Sequence, residues 1–352
     1  MRVAIEAASL CLSSGGLPRF TAELSTALAR CFPDDDFFLV SDQPFPMPAP
    51  CPPNLRRAGG PRNSIERRWW LWGIRKEMER LQADLIHGPD FAVPYLPHRP
   101  SVLSLHDLSP WMDPRWHHAA HRVRRRTPVL LELGIATMVM TPGETVRRQA
   151  IDRFRLRPDR VVAVPYAPPS WMHPVAVTPA PAAPYFLFVG TLEPRKNVPA
   201  LVEAWREVRR HHAVELVLAG RRRADFPPLA EEPGLHLAGE VPDDRLPELY
   251  SGALAFVYPS LYEGFGLPVL EAMQCGACVI ASRAVAEAAG DAAIYADDST
   301  GLARVMRQAV ESPGWVADWR RRSLARARDF SWDKTARLTR EVYEEARRRF
   351  GN

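Results

Sequence analysis

The segment Ser260–Cys275, SLYEGFGLPVLEAMQC, sets two carboxylates, Glu263 and Glu271, around Gly264, Phe265, Gly266 and Leu267. An apolar run, Ala255–Tyr258, leads into it, so the loop lies at the carboxyl end of a strand. A helix opens near Leu267 with Pro268 in its first turn, where a missing N–H is harmless. The N–H groups and dipole of such a terminus attract anions. The glycines let backbone approach them closely. A carboxylate beside an anion site is repelled unless it binds hydroxyls. Glu263 in the loop and Glu271 one turn into the helix therefore suggest a sugar on one side of the anion and a ribose on the other. Read without function, the residues are a tight strand–helix turn with two solvated glutamates. The coincidence of glycines, proline and both acids favours a site.

A second segment, VGTLEPRKN (Val189–Asn197), follows another apolar strand. Gly190 and Thr191 stand at the strand end, and Arg195 and Lys196 open the next helix. Arginine offers a fork to two oxygens and lysine a movable point charge. A nucleoside diphosphate suits that pair as a leaving group. The plainer reading is a solvated basic helix start. Lys196 is one of only three lysines among 46 cations, which makes accident a weaker explanation.

These segments need a scaffold, and the chain has the material for one. Its 352 residues suggest two domains. Apolar residues are 46% and charged residues 25%, ordinary for a globular chain. That excludes a disordered chain, a collagen and a disulfide-stapled miniprotein. No run is long enough to span a bilayer. The start, MRVAIEAASL, lacks the apolar stretch of a signal peptide, so a cytoplasmic protein is expected. Five scattered cysteines fit reduced thiols. Residues 1–170 carry 23 Lys or Arg against 17 Asp or Glu, and the remainder 23 against 24. The positive excess of the first half points to an acidic partner for it: a phospholipid surface, a pyrophosphate-linked acceptor or nucleic acid.

Short continuous apolar runs alternate with amphipathic segments, the pattern of parallel sheets covered on both faces. Strands are expected at Arg2–Glu6, Phe37–Val40, Leu85–His87, Ser101–His106, Met138–Thr141 and Val161–Val164. A glycine-rich turn at Ser13–Gly16 and a helix Arg19–Cys31 follow the first. Prolines crowd 165–184, so an interdomain linker is placed at 167–184. The alternation restarts with strands at Tyr185–Val189, Glu215–Ala219, Leu235–Leu237, Ala255–Tyr258 and Cys278–Ala281. The expected division is 1–166, the linker, 185–332, and a C-terminal helix within 333–352 that packs back on the first domain. The class is α/β, two doubly wound halves with ligands at the carboxyl ends of their strands.

Taken in order, SSGGLPRFTAEL (Ser13–Leu24), LSLHDLSP (Leu103–Pro110), GTLEPRKN (Gly190–Asn197), LAG (Leu218–Gly220) and EGFGLPVLEAM (Glu263–Met273) make the chain resemble, over its whole length, the retaining glycosyltransferases of family 4. The resemblance implies the GT-B fold, two Rossmann-like domains facing each other across a cleft. It implies that Arg195 and Lys196 hold a donor diphosphate, that Glu271 binds the ribose, and that Glu263 holds the transferred sugar. Backbone around Gly264–Leu267 would complete those contacts. Gly15 and Gly16 would meet the diphosphate from the first domain. Arg221 and Val241 would neighbour the base. His106, with Asp107 nearby, would face the transferred sugar, although alone it reads as a core histidine. The departing phosphate would take the acceptor proton, with no metal and no cofactor.

The expected activity is a nucleotide-sugar-dependent hexosyl transfer. GDP-mannose is the first choice of donor, ahead of UDP- and dTDP-sugars, by resemblance to bacterial mannosyltransferases of surface-polysaccharide assembly. The acceptor would be a glycan on a lipid pyrophosphate, with no nucleic acid bound. The alternatives are a nucleotide-sugar epimerase, a phosphorylase and a non-catalytic binding module. Two departures from the family pattern stand out: Leu17 and Pro18 before Arg19, and the short SRAVAEAAGDAA after Ala281, where Glu287 would be the matching acid.

Other signals read as ordinary. Asp34–Asp36 precedes its strand and so sits at the wrong end for a D-x-D metal site. Cys275 and Cys278 lack a second pair for zinc. His117 and His118, and His211 and His212, are poorly spaced for a metal, and Arg221–Arg223 and Arg320–Arg322 read as solvated faces. In IERRWWLWGIRKEMERL (Ile65–Leu81), Trp69, Trp70 and Trp72 lie among cations, with Arg122–Arg126 adding charge. This suits an anionic membrane at the inner face of the cell. It suits equally a helix whose tryptophans pack on the sheet.

Overall fold

A computed structural model describes residues 1–12, 15–117, 120–178 and 182–350. Ser13 and Ser14 of the glycine-rich turn, His118, residues 179–181 of the expected linker and the final two residues lie outside them. The chain forms two units, Met1–Tyr166 with Ser331–Asn352, and Ala167–Phe330.

The first unit is a seven-stranded sheet of order β3-β2-β1-β4-β5-β6-β7, every pairing parallel. Its strands are β1 Arg2–Glu6, β2 Asp36–Val40, β3 Leu55–Arg57, β4 Leu85–Gly88, β5 Ser101–Ser104, β6 Met138–Thr141 and β7 Val161–Ala163. Strand residues such as Val3, Ile5, Phe37, Leu39, Val102 and Val139 are wholly buried, because helices cover both faces. Strand order reverses between β1 and β4, the switch point where such sheets open a crevice.

Helix Trp332–Arg349 closes this unit rather than the second. Ser331 caps it by accepting from the Lys334 N–H at 3.2 Å, and Thr335 donates to the Pro165 carbonyl at 2.6 Å. Tyr343 reaches through to His87 of β4, 2.7 Å from Nδ1, while His87 Nε2 meets Ser104 Oγ at 2.8 Å. Burial pushes the His87 imidazole down to about 3, so it is a neutral core group. Arg340 and the N-terminal amine both pair with Asp35. Asp35 thus ties the N-terminus to the C-terminal helix, while Asp36 pairs with Arg2 and Arg56.

The second unit is a six-stranded parallel sheet of order β10-β9-β8-β11-β12-β13. Its strands are β8 Tyr185–Val189, β9 Glu215–Ala219, β10 Leu235–Gly239, β11 Ala255–Tyr258, β12 Val279–Ala281 and β13 Ile294–Tyr295. Around Met172 and Val175 the expected linker is not free. Gln274 Nε2 donates to the Met172 carbonyl at 2.9 Å, and the Val175 N–H donates to Ser251 Oγ at 3.1 Å, so the segment packs in this unit. Its prolines forbid strand and helix, and packing supplies the order instead.

The tryptophan segment divides. Trp69 is buried among Phe38, Val40, Ile74 and Met78, and Trp70 packs against the sheet. Ile65, Leu71 and Trp72 remain exposed. Among the described residues no helix is long and apolar enough to cross a membrane.

Candidate active site

In the second sheet the order reverses between β8 and β11, and both motif loops leave the sheet there. The first runs from Gly190 through a short turn, Pro194–Lys196, into helix Val198–Arg209. The second runs from Pro259 to Gly266 into helix Leu267–Gln274. Neighbouring strands put these loops side by side although 67 residues separate Lys196 from Glu263. Leu261 N–H donates to the Arg195 carbonyl, and an Arg195 Nη donates to the Tyr262 carbonyl, each at 2.8 Å.

Glycine is required at two points by contact as well as by dihedral. Gly220, at φ +140°, ends β9 so close to Gly190 that a Cβ would stand 2.0 Å from the Gly190 carbonyl oxygen. Gly266, at φ +102°, begins the helix, and its Cβ would meet Val285 at 2.8 Å.

The charged groups form one buried cluster. Lys196 Nζ lies 2.6 Å from Glu263 Oε1 and also donates to the Tyr258 hydroxyl. Arg195 pairs with Glu263 Oε2 at 3.1 Å and with Glu193 Oε1 at 2.8 Å. Arg223 pairs with Glu193 Oε2 at 3.1 Å. Burial pushes the Glu263 carboxyl up, but the two cations overcome it and hold it down at about 2. Burial and Arg195 lower Lys196, against the pull of Glu263. Arg223 also pairs with Asp225, so three cations, Arg195, Lys196 and Arg223, face three carboxylates, Glu193, Glu263 and Asp225, and the group is balanced. Removing two charges from water is costly unless partners replace it. Arg195 and Lys196, adjacent and sharing Glu263, are the cations a further anion would meet.

Glu271 lies deeper, 2% exposed, and accepts from the Tyr250 hydroxyl at 3.1 Å. Tyr250 meets Phe256 edge-on at 5.3 Å, Phe256 stacks near Tyr258 at 5.5 Å, and Tyr258 accepts from Lys196. One packed chain thus links Glu271 to the cationic cluster. The reading of two solvated glutamates fails, since both are buried.

Of the other expected residues, Gly190 and Thr191 stand at the end of β8, and Gly264, Phe265, Gly266 and Leu267 form the turn into the helix. Arg221 is exposed at the end of β9, and Val241 is half-buried just beyond β10. Glu287 is exposed, with its carbonyl accepting from Arg326 at 3.0 Å. Glu193, Arg223, Tyr250 and Tyr258 were missed. Glu193 lay inside the motif, and Arg223 was hidden in an arginine run. Arg223 is half-buried and paired, so it is not part of a solvated face, nor is Arg320, which donates to the Ala253 carbonyl.

In the first unit, β5 ends at Ser104 and His106 stands in the following loop, not in the strand. Its Nε2–H donates to the Pro89 carbonyl and its Nδ1 accepts from Tyr166 OH at 2.8 Å. Burial pushes its basicity down. Asp107 Oδ1 accepts from the Ser109 N–H at 2.9 Å and hydroxyl at 2.6 Å, closing the next turn. The ring nitrogens of His106 are therefore taken up by Pro89 and Tyr166, and one oxygen of Asp107 by its own turn. Gly15 is at φ +117° and precedes helix Gly16–Cys31.

Two family models match the chain. One described as Glycosyltransferase Family 4 covers residues 14–167, and one described as Glycosyl transferases group 1 covers 183–312. O-antigen chain mannosyltransferase B of Escherichia coli is 35% identical over 302 residues, 78% of this chain and 76% of that protein. The serotype-specific mannosyltransferase WbdA of Escherichia coli is 35% identical over 176 residues, 45% of this chain but only 21% of WbdA. Among solved structures, sucrose-phosphate synthase from Thermosynechococcus elongatus superposes with a TM-score of 0.77 at 20% identity, over 98% of both chains. HepE of Anabaena, in complex with UDP and glucose, gives 0.72 at 17% identity, over 98% of this chain and 100% of that one. The chain belongs to the group 1, family 4 glycosyltransferases of GT-B fold, and is a hexosyltransferase.

Proposed function

We propose that this enzyme moves a mannosyl group from GDP-mannose, with retention and without a metal, to a hydroxyl of a growing glycan in polysaccharide assembly. The observation that carries the reading is the buried pairing of Arg195 and Lys196 with Glu263, braced by Glu193 and Arg223, at the switch point. The likeness to the Escherichia coli O-antigen mannosyltransferase supports mannose as the sugar.

In the step, the C1–O bond to the diphosphate breaks and the acceptor oxygen bonds to C1 on the same face. The acceptor proton passes to the departing phosphate. Charge growing on that phosphate meets Arg195, Lys196 and the start of helix Leu267–Gln274, fixed dipoles and charges that need no reorganisation. Glu263, held ionised, accepts from sugar hydroxyls and stabilises positive charge at C1. Glu271 takes the ribose hydroxyls beside Tyr250. Ile65, Leu71 and Trp72, exposed beside Arg67, Arg68 and Lys76, rest on an anionic membrane at the cytoplasmic face.

The test is thermal unfolding of the full chain against GDP-mannose, UDP-glucose and a dTDP-sugar, followed by product analysis with EDTA present. The reading predicts stabilisation by GDP-mannose and an α-linked mannosyl product unaffected by EDTA. Stabilisation by another donor, an isomerised donor, or dependence on added metal would overturn it.

A further inference from the structure

A cavity of about 450 Å³ opens in the first unit, lined by Tyr95, His121, Arg122, Arg125, Arg126 and Val129. Five of these come from helix His121–Glu132, whose residues 122, 125, 126 and 129 recur at the spacing of one helical face. Their side chains reach the cavity mainly with apolar atoms, so it is an apolar hollow lined in part by the stems of three arginines. None of the lining residues is an acid.

Arg126 anchors the site. Its guanidinium stacks over the Trp70 ring at 5.0 Å, and its Nε is buried with no hydrogen-bond partner. Asp90, just beyond β4, and Glu6, at the end of β1, both feel Arg126 electrostatically. Arg126 therefore lies within electrostatic reach of the ends of β1 and β4. Val129 of the lining and Leu133, one turn further along the helix, are exposed apolar surface, 49% and 72% accessible.

Cations around an apolar hollow, continued by an apolar strip, fit one ligand chemistry: a phosphate or diphosphate ester borne on an apolar chain. We propose that this cavity holds the anionic head of an amphiphilic acceptor, with Arg122, Arg125 and Arg126 on the phosphate oxygens and the chain running over Val129 and Leu133. The proposal deepens the acceptor side of the function given above and takes its biological meaning from it, yet binding is measurable without turnover.

The probe is geranyl diphosphate, titrated by calorimetry into the full chain with nucleoside diphosphate already saturating the donor site. Inorganic pyrophosphate and geraniol are the comparison ligands. The expected result is saturable geranyl diphosphate binding, with pyrophosphate at least about tenfold weaker because it lacks the chain, and no geraniol binding. Arg122→Gln/Arg125→Gln, at two exposed positions, should weaken geranyl diphosphate about 10- to 100-fold. Val129→Asp provides an independent variant and should weaken it as well. The proposal is overturned if the double variant binds like wild type, if geraniol binds as well as its diphosphate, or if anionic phospholipid vesicles bind while geranyl diphosphate does not. Geranyl diphosphate binding that survives when no donor supports transfer would remove the proposed function and leave this site standing.

Discussion

Glu263→Gln isolates the charge balance of the site. Glutamine keeps the shape and one acceptor oxygen, but Lys196 and Arg195 lose the carboxylate that now holds them at 2.6 and 3.1 Å. The net charge of Arg195, Lys196, Arg223, Glu193, Asp225 and residue 263 rises from zero to one positive. A unit charge near the phosphates at an effective dielectric of about 20 contributes up to about 4 kcal/mol at contact. Rearrangement and solvent leave on the order of 1–2 kcal/mol of added diphosphate affinity, about 5- to 30-fold. The same change removes the carboxylate that opposes positive charge at the sugar, so kcat should fall about 10²- to 10³-fold. Initial rates with donor varied, alongside calorimetry with nucleoside diphosphate, separate the two effects. Unchanged kcat with weakened diphosphate binding would show that Glu263 mainly organises the cations, and the reasoning would fail.

Other consequences follow from the same structure. Gly220→Ala drives a Cβ into the Gly190 carbonyl, so it should cost at least about 3 kcal/mol of stability, read as a lower denaturation midpoint; an unchanged midpoint would mean the two strand ends are not in contact. Burial raises the Glu6 carboxyl to about 8, so its contribution is complete below about pH 4.5 and is lost as pH rises through 8. Stability should then fall by up to about 1.4 kcal/mol per pH unit in that window, and Glu6→Gln should flatten the slope; equal slopes in both proteins would refute the assignment. Leu71→Ser/Trp72→Ser should abolish flotation with anionic liposomes and leave stability intact, since both residues are exposed; undiminished flotation would place membrane contact elsewhere.

Much of the scaffold is visible in residue order. Continuous apolar runs such as Tyr185–Val189 and Ala255–Tyr258 are strands because both sheet faces are covered. The edge strands β3 and β13 span only Leu55–Arg57 and Ile294–Tyr295, too short to show any periodicity. Helix His121–Glu132 is masked by its arginines and Pro128, and only packing through Leu130 and Leu131 betrays it. Pro-rich 167–184 resembles a linker because proline reports what it forbids locally, not what it packs against. In the site, residue types and loop positions are legible, but pairing is not. Arg195 and Lys196 meet Glu263 only because β8 and β11 are neighbours, a long-range fact. Sequence order likewise cannot show that Arg223, among three arginines, is the one that turns inward to Glu193.

The central claim is that Lys196 and Arg195 bind the donor diphosphate. Calorimetric titration of GDP into wild type and Lys196→Ala, with unfolding curves confirming that the variant folds, tests it most directly. The account predicts about 10- to 100-fold weaker binding in the variant, the loss of one charge-assisted contact. Affinity within about twofold of wild type in a folded Lys196→Ala protein would contradict it.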